Sequence, residues 1–285
     1  MQTRKKSTAL TLIAFWIFIT AFTRAGCSQA IPEALTLAGH YFDRQEFQEA
    51  SELYRRVIFF DKSSAYDSIT IPSLAACDFY LQKWDEAAEF FLLSFNVTNN
   101  HEFYVYHVVS LMKAGKLMEA KTALFGMEVA TEEGQVSKQI LFGLIAYEER
   151  EFEDAKRYFH AAGNSVPLSQ ENLDKIWKKT AKVERKTKLK AIVLSGLLPG
   201  LGHTYAHHLR EGVNSFVLIA GIGAAYIFVA KNVGLIDGII SILPWFNRYY
   251  VGGLNGAAEL TEQFKTESFD ELYNELVLIS SQYIM

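Results

Sequence analysis

Three histidines close together in the sequence, His203, His207 and His208, are the first candidates for chemistry in this chain of 285 residues. The four-residue spacing of His203 and His207 would place both rings on one face of a helix, where they could hold a metal ion. A zinc protease of the HExxH kind requires a glutamate directly after the first histidine, and Thr204 stands there instead. Because proline and glycine interrupt this stretch, we expect an interfacial loop that holds polar rings, with a metal site as the alternative.

Other catalytic signatures are missing from the sequence. Two Gly-x-Gly pairs, at 200–202 and 221–223, lack both the third glycine and the strand–helix–strand context of a nucleotide site. The sequence contains no phosphate-binding Gly-Lys-Ser/Thr loop and no Gly-x-Ser-x-Gly nucleophile motif. Asp237 lies inside an apolar segment, which normally indicates function, but glycines flank it and favour a water-exposed re-entrant turn equally. We therefore predict a protein that is not an enzyme and has no cofactor.

The composition lies between that of soluble and that of membrane proteins. Half of the residues are hydrophobic and 21% are charged. The aromatic content of 14% excludes a disordered chain, and the charged content is too high for a polytopic transporter. A net charge of −4 argues against nucleic-acid binding. Two cysteines, Cys27 and Cys77, cannot form a disulfide framework.

The first thirty residues are typical of an export signal. Basic residues at 4–6 precede an apolar stretch over 9–22 that is too short to span a bilayer comfortably. Cleavage sites with small residues follow, while lipid attachment to Cys27 and an uncleaved anchor are the two alternatives. We predict that residues 1–30 are a signal peptide or N-terminal anchor and that the protein is exported.

One pattern recurs four times between residues 34 and 168. In each copy an aromatic residue or leucine is followed three positions later by an alanine, and four positions further by a large apolar residue. The alanines are 37, 33 and 35 residues apart, and a period near 34 is typical of stacked helix–turn–helix units. The signature residues are Phe47, Ala50 and Tyr54; Trp84, Ala87 and Phe91; Leu117, Ala120 and Leu124; and Phe152, Ala155 and Phe159.

Small or medium residues lie 12 positions before these alanines, where two antiparallel helices should approach closely: Ala38, Ala75, Val108 and Gly143. The pattern resembles the tetratricopeptide repeat family over about 135 residues. The third copy is the weakest, since Val108 and Leu117 replace a small residue and an aromatic one. The resemblance implies an all-α, right-handed helix–turn–helix solenoid over residues 31–185. Four copies exceed the three that such a stack requires.

A further helix after Ser169 should cover the last repeat, because apolar residues recur on one face: Leu173, Ile176, Trp177 and Val183. The resemblance also implies a concave groove that binds a peptide or a partner helix. Five aromatic residues in or near the first helices of the repeats are candidates to line it: Tyr41, Phe79, Tyr80, Tyr104 and Tyr106. The alternative is that most of them pack between helices.

The composition changes abruptly after the repeats. Residues 175–190 contain eight basic residues and one acid, which indicates a solvated helix face or a surface for anionic lipid headgroups. Residues 191–258 then hold 11 of the 18 glycines and five charges. The five are Arg210, Glu211, Lys231, Asp237 and Arg248.

Residues 186–258 are predicted to form a basic junction followed by a glycine-rich helical hairpin in the membrane. Its segment 213–230 carries no charge and is the best candidate for a membrane span. A shorter apolar segment, 233–246, follows after two residues, and abundant glycine suits close helix contacts in lipid. A buried hydrophobic domain in water is the alternative.

The tail also resembles a small two-helix membrane module of bacterial envelope proteins, with the signature PGxGxxYxG…G. The matching residues are Pro199, Gly200, Gly202, Tyr205 and Gly212, with 248–252 and Ala257 as the tail of the match. His207 stands where the signature usually has glycine. The resemblance implies membrane location and no reaction.

The last segment, 259–285, is predicted to be an amphipathic helix that starts at a capping box, Ser268–Glu271. Its apolar face would contain Leu272, Leu276, Ile279 and Tyr283.

We therefore expect a non-enzymatic, membrane-anchored scaffold of the bacterial cell envelope with its repeats in the periplasm. Its partners would be a protein or peptide and membrane lipid, with no nucleic acid, and the sequence leaves the choice between inner and outer membrane open. The alternative is a hairpin that handles lipid or solute, motivated by Asp237 and His207, with the repeats as a regulatory domain.

Overall fold

A computed structural model of the chain describes residues 31–129 and 131–284. Within these ranges every regular element is a helix, which confirms the predicted all-α class. The predicted export signal, including Cys27, lies outside the described residues.

The chain divides into two compact units. Among the described residues, unit 1 comprises those up to Ile145 together with Tyr283 and Ile284, and unit 2 comprises Ala146–Gln282. Unit 1 contains a helix over 31–43, here called α1, followed by α2 (Phe47–Phe60), α3 (Asp67–Tyr80), α4 (Trp84–Thr98), α5 (His101–Lys113), α6 (Leu117–Gly126) and the start of α7 (Glu132–Glu148). Unit 2 contains the end of α7, α8 (Phe152–Gly163), α9 (Gln170–Glu184), α10 (Lys188–Leu197), α11 (Leu201–Tyr205), α12 (Leu209–Asn232) and α13 (Leu235–Ser280).

Four interhelical turns share one backbone geometry. In each, a residue with positive φ stands two positions before the signature aromatic or leucine: Gln45 (62°), Gln82 (58°), Gly115 (75°) and Arg150 (66°). Its N–H donates to the carbonyl three residues back, and the next N–H donates to the carbonyl five residues back. This paired arrangement is the Schellman motif, which satisfies the last carbonyls of a helix. The repeat in the sequence is therefore also a repeat in backbone geometry.

The small residues of the signature are buried at every copy. The four alanines that follow the turns are fully buried: Ala50, Ala87, Ala120 and Ala155. The partner positions Ala38, Ala75 and Val108 are also fully buried. A larger side chain at any of them would have to displace a packed neighbour, and such overpacking costs about 1–3 kcal/mol.

Successive helices of unit 1 are joined by consecutive apolar clusters. The first cluster joins α1, α2 and α3 through Ala38, Ala50, Tyr54, Leu74 and Cys77. The second joins α3 to α4 through Ala75, Ala87 and Phe91, with Phe103 and Tyr106 of α5 packed against it. Because α3 contributes to both clusters, the helix pair α1–α2 is packed against the helix pair α3–α4. This is the packing expected of a helical repeat array.

An ion pair between a partly exposed guanidinium and a buried carboxylate links α2 to α3. The Arg55 guanidinium donates to Asp78 Oδ2 at 2.6 Å and also lies 5.3 Å from the centroid of the Phe90 ring on α4. Asp78 is fully buried, and its Oδ1 has no hydrogen-bond partner among the described residues. Burial raises the pKa of Asp78 above its ordinary value of 3.8, and the positive charge of Arg55 opposes that rise.

The sequence predicted the start of α9 correctly and the start of the C-terminal helix incorrectly. As predicted, α9 begins directly after Ser169 and buries Leu173, Ile176 and Val183. The predicted helix start at Ser268–Glu271 is wrong, because α13 runs unbroken for 46 residues through that position. Phe269 and neighbouring apolar residues of this region are buried, so the packed face favours a continuous helix over a local cap.

The distal half of α13 packs within unit 2 against the start of α8 and against α9. The Phe269 ring lies 5.0 Å from the Phe152 ring, and the Arg150 guanidinium lies 4.4 Å from the centre of the Phe269 ring. Lys179 on α9 forms an ion pair of 2.9 Å with Glu275. The same helix that begins in the apolar hairpin therefore ends among the repeat helices of unit 2.

Replacing Arg55 with methionine tests the ion pair with Asp78. Because the Arg55 side chain is 42% exposed, we expect a loss of about 2 kcal/mol at pH 7, below the value for a fully buried pair. Without Arg55 the folded pKa of Asp78 rises further, so the folded state binds a proton more tightly than the unfolded state. The loss should therefore be small below the ordinary pKa of 3.8 and grow as the pH rises through the raised folded pKa.

Chemical unfolding of the full-length protein in detergent, between about pH 4 and pH 8, measures this loss. Arg56→Met is the matched control, since Arg56 lies only against the exposed Phe60 ring. An equal loss at both ends of the pH range, or an equal loss in the control, would contradict the account.

Candidate functional site

Most aromatic residues that were predicted to line a groove pack between helices. Phe79 on α3 lies 5.1 Å from the Trp84 ring and 6.0 Å from the Tyr106 ring. Tyr41 packs against the cluster that joins α1, α2 and α3. Tyr104 donates its hydroxyl to the Ala123 carbonyl at 3.0 Å. These side chains hold neighbouring helices together and leave only part of their surface for a ligand.

Tyr80 differs from the other four because it is exposed. Its side chain is 59% exposed, and its ring stacks on the Phe47 ring at 4.5 Å. Ile69 lies eleven residues earlier on α3, about three helical turns away, and is 56% exposed. Both residues therefore lie on one face of α3, which we call the α3 face. The stacking orders the Tyr80 ring before any ligand binds, which lowers the entropic cost of binding.

In the fourth repeat the position that corresponds to Phe79 is covered. Tyr147 stands five residues before Phe152, as Phe79 stands five residues before Trp84. Tyr147 is fully buried; its ring lies 6.1 Å from the Trp177 ring and 6.3 Å from the Tyr273 ring. Within unit 2, Trp177 of α9 and Tyr273 of α13 therefore cover a position that is only partly buried at Phe79 in unit 1.

The glycines of the PGxGxxY segment are required by close packing within unit 2. Gly200 has φ +89°, and a Cβ there would overlap the carbonyl of Gly212. A Cβ on Gly202 would overlap the Ala191 carbonyl and Ser195 Oγ, which accepts a hydrogen bond of 3.0 Å from the Gly202 N–H. These glycines let α10, α11 and the first turn of α12 touch. Their geometry indicates a structural role.

His207 also has a positive φ, of 64°. Glycine adopts this left-handed conformation more readily than histidine does. The His207 ring stacks at 4.8 Å on the Phe264 ring of α13. That contact helps to hold a conformation that histidine adopts only at some cost.

Lys186, one of the basic residues between the repeats and the tail, is held between two aromatic rings. Its Nζ lies 4.7 Å from the centre of the Tyr205 ring and 4.6 Å from that of the Phe264 ring, and it donates to the Tyr205 carbonyl. Burial lowers its pKa. This lysine therefore joins the junction to α11 and α13 and is not free to bind a lipid headgroup.

The histidines and Asp237 do not form one site. His203 is buried, and within the described part of the chain its Nδ1 has no hydrogen-bond partner. Burial lowers the pKa of His203, so the ring is neutral at pH 7. His203 precedes the 24-residue helix α12 and Asp237 follows it, so about 36 Å of helix separates them. Among the residues that the structure describes, no group of three or more His, Cys, Asp or Glu residues is placed to hold a metal ion.

Helix α12 and the first part of α13 form the predicted hairpin, with the turn at Val233 and Gly234. Within the described ranges, α12 is the one helix long and apolar enough to cross a membrane, and none of its apolar window is buried in the protein. Large apolar side chains are exposed on both arms, such as Phe228 (70%) and Ile236 (73%). In water such a surface would be unfavourable.

The described residues define an all-helical protein with many short helices, as in helical repeat solenoids, and one helix able to cross a membrane. Comparisons with protein-family profiles, with curated proteins and with solved structures find no match for this chain.

Replacing Gly202 with alanine tests the packing of the PGxGxxY segment. We expect a loss of about 2 kcal/mol in the free energy of unfolding, because the new methyl group would overlap the Ala191 carbonyl. Gly252→Ala is the matched control, since nothing lies within 4 Å of a Cβ there, and alanine favours a helix over glycine. Thermal unfolding in detergent compares the two variants, and equal stability of both would refute the structural role.

Proposed function

We propose that the protein is a non-enzymatic, membrane-anchored scaffold of the bacterial cell envelope. Its repeats, of the tetratricopeptide type, would bind a protein or peptide partner, and its hairpin would hold them at a membrane. The observation that carries the proposal is the continuity of α13. One helix provides an arm of the apolar hairpin and the packing partner of α8 and α9.

The repeat assignment is supported by the four Schellman turns at the repeat period and by the buried alanines that follow them. A scaffold of this kind acts through an exposed surface on the first helices of its repeats. In unit 1 the α3 face offers such a surface, with Ile69 and the ordered ring of Tyr80. An amphipathic helix or an extended apolar peptide fits this chemistry.

The anchoring is supported by the exposed apolar surface of α12 and by its length. Twenty-four residues of helix measure about 36 Å, which exceeds the hydrocarbon thickness of about 30 Å. Together with the export signal predicted for residues 1–30, this favours repeats on the periplasmic side. The basic junction would then lie beside the headgroups of that side.

A second function, the handling of lipid or solute by the hairpin, is favoured by one observation. An apolar groove opens between α12 and α13, lined by side chains that include Ile222, Tyr226, Ile239 and Phe246. The groove contains no charged residue, so it suits an acyl chain. In this second function the groove would be the working part and the α3 face would be dispensable.

Site-specific photo-crosslinking in the native membrane tests the scaffold. A photoreactive residue in place of Tyr80 should give an adduct with a specific envelope protein, because this position is exposed on the α3 face. The matched control is Met118, which is 71% exposed on α6, the second helix of its pair. We expect Ile69→Asp to lower the adduct yield at position 80 about tenfold.

Adducts of equal yield at positions 80 and 118 would show nonspecific contact and contradict the proposal. If the specific adduct persists in Ile69→Asp, the α3 face is not the surface that binds the partner. Loss of function on filling the groove with Gly223→Phe, with no effect of Ile69→Asp, would favour the second function.

A further inference from the structure

Two close contacts fix the register of α12 against α13. A Cβ at Gly238 would lie 3.3 Å from the backbone nitrogen of Ala230, and a Cβ at Gly253 would lie 3.0 Å from Ser215 Oγ. From the first contact to the second, α13 advances by 15 residues while α12 goes back by 15, so both contacts follow one antiparallel register. That register places Arg248 on α13 level with Ala220 on α12.

Ala220 is at the middle of α12, which runs from Leu209 to Asn232. At 1.5 Å per residue, it lies about 15 Å from Arg210 and about 16 Å from Lys231. The hydrocarbon core of a bilayer is about 30 Å thick. A bilayer that α12 crosses between Arg210 and Lys231 therefore has Arg248 near its midplane.

Nothing in its own hairpin neutralises Arg248. Along α13 it is the only charged residue between Asp237 and Glu259, eleven residues away on either side. Its side chain is exposed, and among the described residues it forms no ion pair. An arginine side chain cannot reach across the intervening helix, which measures about 16 Å on either side. Charged residues at this depth are normally paired or face a polar interior.

The face of α13 around Arg248 has the composition of a helix contact in lipid. Ser241 and Asn255 lie seven residues before and after Arg248, and Gly252 lies four residues after it, so the four share one face. All are exposed, and apart from the helix backbone next to Gly252 no atom of residues 31–129 or 131–284 lies within 4 Å of a Cβ built at Gly252. Small and polar residues let a second helix approach closely and form hydrogen bonds across the contact.

We propose that this face, which we call the Arg248 face, docks a transmembrane helix of a partner protein that carries an aspartate or glutamate at mid-bilayer depth. The inference rests on the membrane anchoring proposed above. A carboxylate accepts two parallel hydrogen bonds from a guanidinium and neutralises its charge. A second copy of this chain cannot fill the role, because at this depth it would present another Arg248. The phosphate groups of lipids lie about 15 Å away.

The test is photo-crosslinking of the full-length protein in its native membrane. A photoreactive residue replaces Gly252, where there is room for it, and the matched control position is Leu243, which is 56% exposed on another face of α13. We expect an adduct with one membrane protein from position 252 and not from position 243. Arg248→Lys should retain it, and Arg248→Leu should lower its yield about tenfold.

The captured protein must have an acidic residue within a transmembrane segment. Changing that residue to arginine should abolish the adduct, and combining the change with Arg248→Glu should restore it. Adducts with lipid alone, with a second copy of this chain or with nothing would each overturn the inference. So would an adduct that persists in Arg248→Leu.

Alkaline extraction of the same membranes separates this inference from the proposed function. If the protein stays in the membrane and the adduct is missing, the docking inference fails and the anchoring stands. If the protein is extracted, the anchoring fails, and the docking inference fails with it.

Discussion

The change of environment along one unbroken helix is the constraint on which unit 2 depends. The first turns of α13 expose Leu235, Ile236 and Ile240, whereas its last turns bury Phe269, Leu272 and Leu276. Exposed apolar side chains are costly in water and favourable in lipid. A helix cannot end and restart between the two regions without leaving backbone groups to be capped. The continuous helix α13 therefore fixes where the hairpin lies relative to α8 and α9.

The junction at the base of the hairpin satisfies this constraint through close packing. Glycines at 200, 202 and 212 bring three helices within backbone contact. Lys186 fills the remaining space with a cation held between the Tyr205 and Phe264 rings. Close glycine contacts and the cation–π contacts of Lys186 therefore hold the helices of the junction together. The PGxGxxY segment is explained by this geometry without a reaction.

The repeat period could be read from the sequence because each copy carries the same local signals. The alanines and the polar turns predict helix ends, and the structure places a Schellman turn before each signature aromatic or leucine. The long helix could not be predicted, because the capping signal at Ser268 is local and the packing of Phe269 is not. For the candidate site, no sequence signal distinguished the exposed Tyr80 from the buried Tyr147. Tyr147 is covered by Tyr273, more than 100 residues away in the sequence.

Labelling of single cysteines in sealed membrane vesicles tests the central claim most directly. Cys27 and Cys77 are first replaced with alanine. In one variant a cysteine then replaces Asn232, near the turn of the hairpin, and in the other it replaces the exposed Leu278, near the end of α13. If the hairpin crosses the membrane, a membrane-impermeant reagent reaches only one of the two until the vesicles are opened. Labelling of both cysteines from the same side would show that the hairpin does not cross, and it would contradict the account.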